Sequence, residues 1–427
     1  MLRRLVRAVN PSRALPWLAP FALAGAALQF FRVMHSRRLI PDLSREIPAQ
    51  QWEAGSVARS VSIVVAARDE APTLRRALPT LLAQDYPSMQ LIVVDDRSSD
   101  ATRQTVEALF GEHSPGRHEG APATEVHRID RLPEGWIGKS HALYEGAKRA
   151  TGEWILFTDA DVCFDPTTVR RAVEYAERES LDHLALVPKL DLDAYWLRCA
   201  ASFFYLGYMI TLGMYRANLP AARSGLGIGA FNLLRRPAYQ AMGTYAALRM
   251  SPADDYSLGE AVKRAGLSQR LLTGVGEPGG PPLVHLKWYG SLGGFFRGIE
   301  KNVLPICGYN PFKVVGIVLS VQLTGVVPFL ALLSRLVRSK PSALGAFALA
   351  AALNLLSFAL FSRWQRYPKA LRMSAGYPIH VVVSCYALLR AVVVVLAAGG
   401  ITWRETFYPL AELRAAQAAR GREEVGS

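Results

Sequence analysis

Apolar and polar positions divide the chain into three regimes. Near the N-terminus, residues 15–31 (LPWLAPFALAGAALQFF) carry no charge and are flanked by Arg3, Arg4, Arg7 and Arg13 on one side and Arg32, Arg37 and Arg38 on the other. About 20 helical residues are needed to cross a bilayer. This shorter run reads as a short spanning helix, an in-plane anchor or an uncleaved signal-like segment. Three longer apolar runs follow near the C-terminus, at about 314–333, 343–361 and 379–398, and only Arg390 interrupts them with a charge. Buried helices of a soluble core are the alternative. Three such runs in succession, separated by the basic loops SRLVRSK and SRWQRYPKALR, point instead to membrane spans. Arg390 can snorkel or face other helices.

Between these ends, residues 60–285 alternate short β-branched runs with helical patterns. VSIVVAA, LIVVDD and EWILFTDA read as strands. After the first, Leu74, Leu78, Leu81 and Leu82 recur at helical spacing; ATRQTVEALF and TTVRRAVEYAERE repeat that pattern. Such alternation predicts an α/β domain with a doubly wound, mostly parallel sheet and flanking helices. Residues 111–125, rich in Gly, Pro and His, read as a surface loop. The stretch 199–219 is apolar and aromatic and contains Gly207 and Gly213. It reads as a helix at the membrane interface or under the catalytic domain, or as a core helix.

Composition sharpens this division. Of 427 residues, 51% are hydrophobic, and 49 basic against 35 acidic residues give a formal net charge of +14. That excess suits a surface that meets nucleic acid, anionic lipid or a phosphorylated substrate. The basic residues lie largely beside the apolar runs, which favours lipid headgroups over nucleic acid. The four cysteines form no CxxC pair. That argues against a zinc site or disulfide framework and fits a reducing compartment.

Ligands of open parallel sheets bind beyond the carboxyl ends of the strands, and acidic groups gather there. Arg68, Asp69 and Glu70 follow the first strand run, Asp95 and Asp96 end the second, and Asp159 and Asp161 follow the third. Residues i and i+2 of an extended chain face one side, so Asp159 and Asp161 are expected to converge. Two carboxylates together with a diphosphate suit Mg²⁺ or Mn²⁺. Asp100 or Ser99 can instead cap the following helix, and Asp165 before Pro166 reads as a cap or turn residue.

VSIVVAARDEAPTLRRALPTLLAQDYP, VVDDRSSDAT, GKSHALYEGAKRATGEWILFTDADV and ADDYSLGEAVKRAG stand in an order that resembles the motifs of family 2 inverting glycosyltransferases with a GT-A fold. The resemblance spans residues 60–305. LPEGWIGKSHAL, GAFNLLRRPAY, RGIEKN and ITWRETFYPLAELR resemble the membrane-attached bacterial branch, near ceramide glucosyltransferases and hopanoid- and carotenoid-associated transferases. The resemblance implies that Ala66, Arg68, Glu70, Asp95 and especially Asp96 hold the nucleotide. It places Lys139 near the donor diphosphate, Asp159 at the donor and the metal, and Asp161 as the stronger metal ligand. Asp255 becomes the general base that deprotonates the acceptor. Asp254 stands where the family often has Glu, and it can equally cap the helix that follows. The QxxRW motif of processive synthases is missing; FFRGIEKN occupies the comparable region. There, Arg297 and Lys301 at i and i+4 can share a helix face and hold a donor or lipid phosphate, or form a solvated basic face.

The expected organisation is an N-terminal basic segment and anchor (1–40), a GT-A domain (60–285), an interfacial helix region (286–312), three membrane helices (313–399) and a tail (400–427). The expected function is transfer of one sugar from a nucleotide sugar, a UDP-sugar in the first instance, to a hydroxyl or phosphate of a lipid acceptor. The protein is expected to cross the inner (plasma) membrane several times with its catalytic domain in the cytoplasm, and to bind no nucleic acid. A processive polysaccharide synthase and a non-catalytic membrane protein that kept the fold are the alternatives.

Overall fold

The computed structural model describes residues 15–48, 59–113, 122–222, 224–334 and 340–423. Most of the loop expected over 111–125 lies outside them. Backbone proximity divides the chain into two units. One comprises Leu39–Asp191, Met214–Trp288 and Ala411–Ser427; the other comprises Met1–Arg38, Leu192–Gly213 and Tyr289–Leu410.

The first unit is an α/β domain. Its strands in chain order are β1 (Val61–Ala67), β2 (Met89–Asp96), β3 (Ala123–Ile129), β4 (Trp154–Asp159) and β5 (Val162–Phe164). Next come β6 (His183–Val187), β7 (Lys189–Leu190), β8 (Asn232–Arg235), β9 (Gln269–Thr273) and β10 (Val284–Leu286). The main sheet has the order β3-β2-β1-β4-β8-β6-β9. β1 to β4 are mutually parallel, and β8 runs antiparallel between β4 and β6. A small sheet, β5-β10-β7, stands apart from it. β1 is buried along nearly its whole length. That follows from a strand covered on both faces, which reads as continuous β-branched residues, not as an alternation. The helix Gly138–Arg149 lays Ala142, Leu143 and Ala147 on Val64, Val94 and Ile155.

Register brings the parallel strand ends to one edge. Ala66 pairs with Val94 on one side and with Asp159 on the other, and Ala67 pairs with Asp95. The loops after β1 and β2 are laced together. Asp69, in the left-handed region at φ 52°, accepts from the Ser99 and Asp100 amides at 2.8 and 3.2 Å. Asp100 in turn accepts from the amides of Thr102 and Ala71, at the first turns of two helices. Asp165 accepts from the Thr167 amide at 2.9 Å. Asp100 and Asp165 thus close turns just ahead of helices, while the N-cap positions themselves are Ala101 and Thr167, without side-chain cap bonds.

The second unit is an assembly of apolar helices. Among the described residues, four helical segments are long and apolar enough to cross a membrane: Leu15–Leu39, Pro311–Leu333, Pro341–Trp364 and Tyr377–Ala398. The N-terminal one extends through Arg32, Arg37 and Arg38, past the end of the uncharged run. Trp17, Phe21, Leu319, Leu333 and Val393 are exposed, as befits side chains that face hydrocarbon. Inside, small residues allow close helix approach: Ala19 and Ala22 pack with Ala331, Ala343 and Phe347. Residues 195–212 form one helix through Gly207, and it ends where Gly213 adopts φ 59°. A short hairpin, β11 (Gly400–Trp403) with β12 (Thr406–Pro409), belongs to the same unit.

Several polar side chains within this unit pair with one another. Arg390 forms an ion pair with Glu300, so it faces another helix. Gln29 and the Tyr377 hydroxyl lie 3.2 Å apart, that hydroxyl is 3.4 Å from Asn354 Oδ1, and the Asn354 amide donates to the Thr324 carbonyl at 2.6 Å. Interhelical hydrogen bonds in apolar bundles contribute about 0.6–2 kcal/mol. Tyr377→Phe is therefore expected to lower stability by about 1 kcal/mol. Thermal unfolding in detergent checks this, and an unchanged midpoint contradicts it.

Candidate active site

The site is built on the carboxyl edge of β1, β2 and β4. Lys139, on the first turn of the helix Gly138–Arg149, carries its ammonium to 2.7 Å from Asp159 Oδ1 and 3.3 Å from Asp254 Oδ2. Burial alone would pull the Lys139 pKa down. The facing carboxylates of Asp159, Asp254 and Asp255 outweigh it and hold it well above the ordinary lysine value. Asp254 is buried, with 5% of its side chain accessible. It lies one residue inside the helix Asp254–Arg264, whose N-cap position is Ala253 and has no side-chain cap bond. Its carboxylate faces the lysine instead.

Asp255 differs from its neighbour. It is half-buried. Its Oδ1 accepts from the Tyr256 amide at 2.8 Å and its Oδ2 from the Gly229 amide at 3.1 Å. Gly229 also accepts from the Asp159 amide through its carbonyl, at 3.1 Å. One residue therefore joins the end of β4 to Asp255. A side chain has no room there: a Cβ at position 229 would stand 2.6 Å from Asp159 Oδ2.

Asp159 and Asp161 come together for a reason other than pleating. β4 ends at Asp159, residues 160–161 turn, and β5 begins at Val162. The turn brings the two carboxylates near each other. Burial, then the charges of Asp159 and Glu70, push the Asp161 carboxyl up to about 7. The positive charge of Lys139 offsets this only in part. Among the described residues no cluster of three His, Cys, Asp or Glu side chains could hold a metal ion. Two neighbouring carboxylates fit Mg²⁺ or Mn²⁺ whose shell is completed by phosphate and water oxygens, not an all-protein cage.

The side of the edge formed by β1 and β2 is closely paired. Asp96 makes a two-point pair with its neighbour Arg97, at 2.7 and 3.1 Å. Asp95 is fully buried and accepts from the Ser98 amide at 3.1 Å. The Arg68 Nε lies 3.9 Å from Asp69. The amide of Glu70 donates to Thr102, and its carboxylate accepts from the Thr73 hydroxyl. Ala66 lies between Asp159 and Val94 in register. Arg297 and Lys301 belong to the helix Leu292–Ile306 of the apolar unit, where the Lys301 ammonium sits 3.7 Å from the centroid of the Trp403 ring.

Residues 62–243 match the family described as "Glycosyl transferase family 2". Over this stretch, less than half of its length, the chain is similar to family 2 glycosyltransferases. A 4,4'-diaponeurosporenoate glycosyltransferase of Staphylococcus aureus (strain USA300) is 24% identical over 232 residues, 54% of this chain and 57% of that protein. The enzyme of the same name from Staphylococcus haemolyticus is 23% identical over 257 residues, covering 60% and 64%. The chain thus spans little more than half the length of the curated relatives it matches. Among solved structures, the mannosyltransferase PcManGT of Pyrobaculum calidifontis is 19% identical, with a TM-score of 0.47 and coverage of 87% of this chain and 99% of that one.

Two features of the α/β domain escaped the sequence patterns. Tyr245 packs edge-on against Phe157 with centroids 4.9 Å apart. Burial, with the charges of Asp254, Asp159 and Asp255, holds its phenol well above the ordinary value, so it underlies the acidic cluster. The loop 225–229 is the other; the sequence motifs reached it only at Gly229, the first residue of GAFNLLRRPAY, and assigned it no role.

The raised Asp161 pKa has a consequence for stability. Without metal, the folded state holds the Asp161 proton more tightly than the unfolded chain, whose carboxyl titrates near 3.8. Its destabilising contribution is absent below about pH 4 and grows as pH rises to about 7. In metal-free protein we expect the unfolding temperature to fall across this window, and Asp161→Asn to flatten part of the fall. Mn²⁺ added to the wild type should do the same. An identical slope in Asp161→Asn contradicts the assignment.

Proposed function

We propose that this protein is a membrane-bound inverting glycosyltransferase that moves one sugar from a nucleoside-diphosphate sugar to a hydroxyl or phosphate of a lipid acceptor. The observation that carries the reading is the separation of duties among the clustered acids. Lys139 neutralises Asp159 and Asp254, Asp161 is left short of positive charge, and Asp255 is held by two backbone amides. Four helices of spanning length and composition support the membrane, and the relatives' name supports an apolar acceptor.

Asp161 and Asp159 would hold Mg²⁺ or Mn²⁺, which supplies charge neutralisation for the departing diphosphate when bound. Lys139 adds a fixed positive charge at the same edge. Asp96 stays oriented by Arg97 and retains lone pairs for the imide N–H of a uracil. Ala66, Arg68, Glu70 and Asp95 shape the base and ribose side of the cleft. Asp255 takes the proton of the acceptor hydroxyl as its oxygen attacks the anomeric carbon and the bond to the diphosphate breaks. Asp254, tied to Lys139, keeps that cation placed. Arg297 and Lys301 offer positive charge to a lipid or donor phosphate. Nucleotide sugars are cytosolic, so the domain belongs in the cytoplasm and the apolar helices in the plasma membrane.

Three outcomes test this reading. Asp255→Asn should bind UDP and Mn²⁺ like the wild type while transfer falls roughly 10²–10⁴-fold, because a base acts in the transition state. Near-normal turnover in Asp255→Asn with none in Asp254→Asn would assign the base to the other acid. Binding of a UDP-sugar should collapse in EDTA and in Asp161→Ala; unchanged affinity removes the metal from the mechanism. The protein should remain in the membrane pellet through carbonate washing, and release by salt alone would show a peripheral attachment.

A further inference from the structure

The loop that joins Asp159 to Asp255 is held from behind by three buried polar side chains. Asn232, His183 and Gln269 have 2, 0 and 2% of their surface accessible. They project from neighbouring strands: His183 on β6 pairs in register with Gln269 on β9, and Asn232 lies on β8, which also pairs with β6. Apolar side chains at these central positions would avoid the cost of burying polar groups. The three polar groups instead satisfy the loop and one another.

Gln269 Oε1 accepts from the Leu226 amide at 3.0 Å, and its Nε2 donates to the Leu226 carbonyl at 3.0 Å. Two residues along, Asn232 Oδ1 accepts from the Ile228 amide at 3.0 Å, and its Nδ2 donates to the Ile228 carbonyl at 2.7 Å. Each amide side chain thus mimics a strand neighbour for one loop residue. These bonds fix which end of each amide is oxygen. His183 must then donate from Nε2 to Asn232 Oδ1, at 3.1 Å, and accept at Nδ1 from Gln269 Nε2, at 2.5 Å. Burial pushes the His183 pKa down to about 4, so the neutral tautomer this pattern needs is the one present near neutral pH.

The held loop contains Gly225, Gly227 and Gly229, and glycine contributes no side-chain packing to fix its own conformation. A Cβ at position 227 would stand 2.3 Å from the Asp255 carbonyl oxygen, so the loop lies directly on the first turn of the Asp255 helix. We infer that Asn232, His183 and Gln269 form a clamp that sets the distance between Asp159 and Asp255 through Gly229, with Asn232 the principal positioning residue for the transfer step. This rests on the proposed transferase reading only for its kinetic consequence.

Two measurements test the clamp. In hydrogen–deuterium exchange on the full-length protein, Asn232→Ala should raise exchange across residues 225–231 at least about tenfold, as expected for lost buried hydrogen bonds. β1 and β4 should keep their protection. Exchange that rises evenly over the domain, or not at all, overturns the proposal, and this result does not depend on any activity. In a transfer assay with UDP-glucose and membrane lipid extract, kcat should fall roughly 10²-fold, the cost of about 1 Å of misplacement, while affinity for UDP with Mn²⁺ stays within about twofold. Parallel loss of both overturns the positioning role. If Asn232→Ala does not accumulate folded, His183 gives the same answer: His183→Leu should reproduce the local deprotection, and His183→Gln, which still offers an N–H to Asn232, should restore protection. Equal behaviour of those two variants counts against the clamp. A wild type without transferase activity but with the expected exchange pattern would sink the functional reading and leave the clamp standing.

Discussion

The contact of Lys139 with Asp159 and Asp254 is the interaction on which the site depends. Parallel strands deliver acids to a common edge, and at close range in a partly buried setting their repulsion amounts to several kcal/mol. One ammonium, 2.7 and 3.3 Å from two of the carboxylates, makes their coexistence possible. It also leaves an asymmetry. Asp159 and Asp254 are compensated, while Asp161 is pushed toward its protonated form by burial and by Asp159 and Glu70. In the proposed reading, a cation and its phosphate ligands would supply the charge that Asp161 lacks.

The scaffold serves this balance by fixing loops to loops. Asp69 ties the turn after β1 to residues 99 and 100. Asp100 links two helix starts. Gly229 bridges Asp159 and Asp255 by its own amide and carbonyl. Most of these anchors are carboxylates that accept backbone N–H groups, bonds stronger than their neutral counterparts. Some acids of these motifs therefore serve loop architecture. Asp95, fully buried and engaged with Ser98, falls on the architectural side.

The apolar unit obeys a different rule. Several of its charged and polar groups find partners within the unit: Arg390 with Glu300, Lys301 over Trp403, and Gln29 with Tyr377. Where hydrocarbon replaces water, an unpaired polar group costs several kcal/mol. A lone arginine in an otherwise apolar run, ambiguous along the chain, is thereby resolved by a glutamate 90 positions earlier.

Much was legible along the chain because its causes are local. β-branched runs, leucine spacing and long apolar stretches each report burial of a nearby segment, so β1, β2, β4, their following helices and the three C-terminal apolar helices could be read directly. The acids at strand ends were legible too, since a parallel sheet must place those ends together. β3, with exposed and half-buried positions along most of its length, and the antiparallel β8 were not, because their pattern reflects neighbours distant in sequence. The approach of Asp161 to Asp159 was anticipated, but through a pleat, where the chain uses a turn. Which member of the Asp254–Asp255 pair faces a lysine, and which faces a glycine amide, depends on helix and loop placement across more than a hundred residues. The buried His183–Asn232–Gln269 set lies furthest from sequence reading. Polar residues scattered among apolar strands acquire meaning only when three strands align and a glycine loop passes over them.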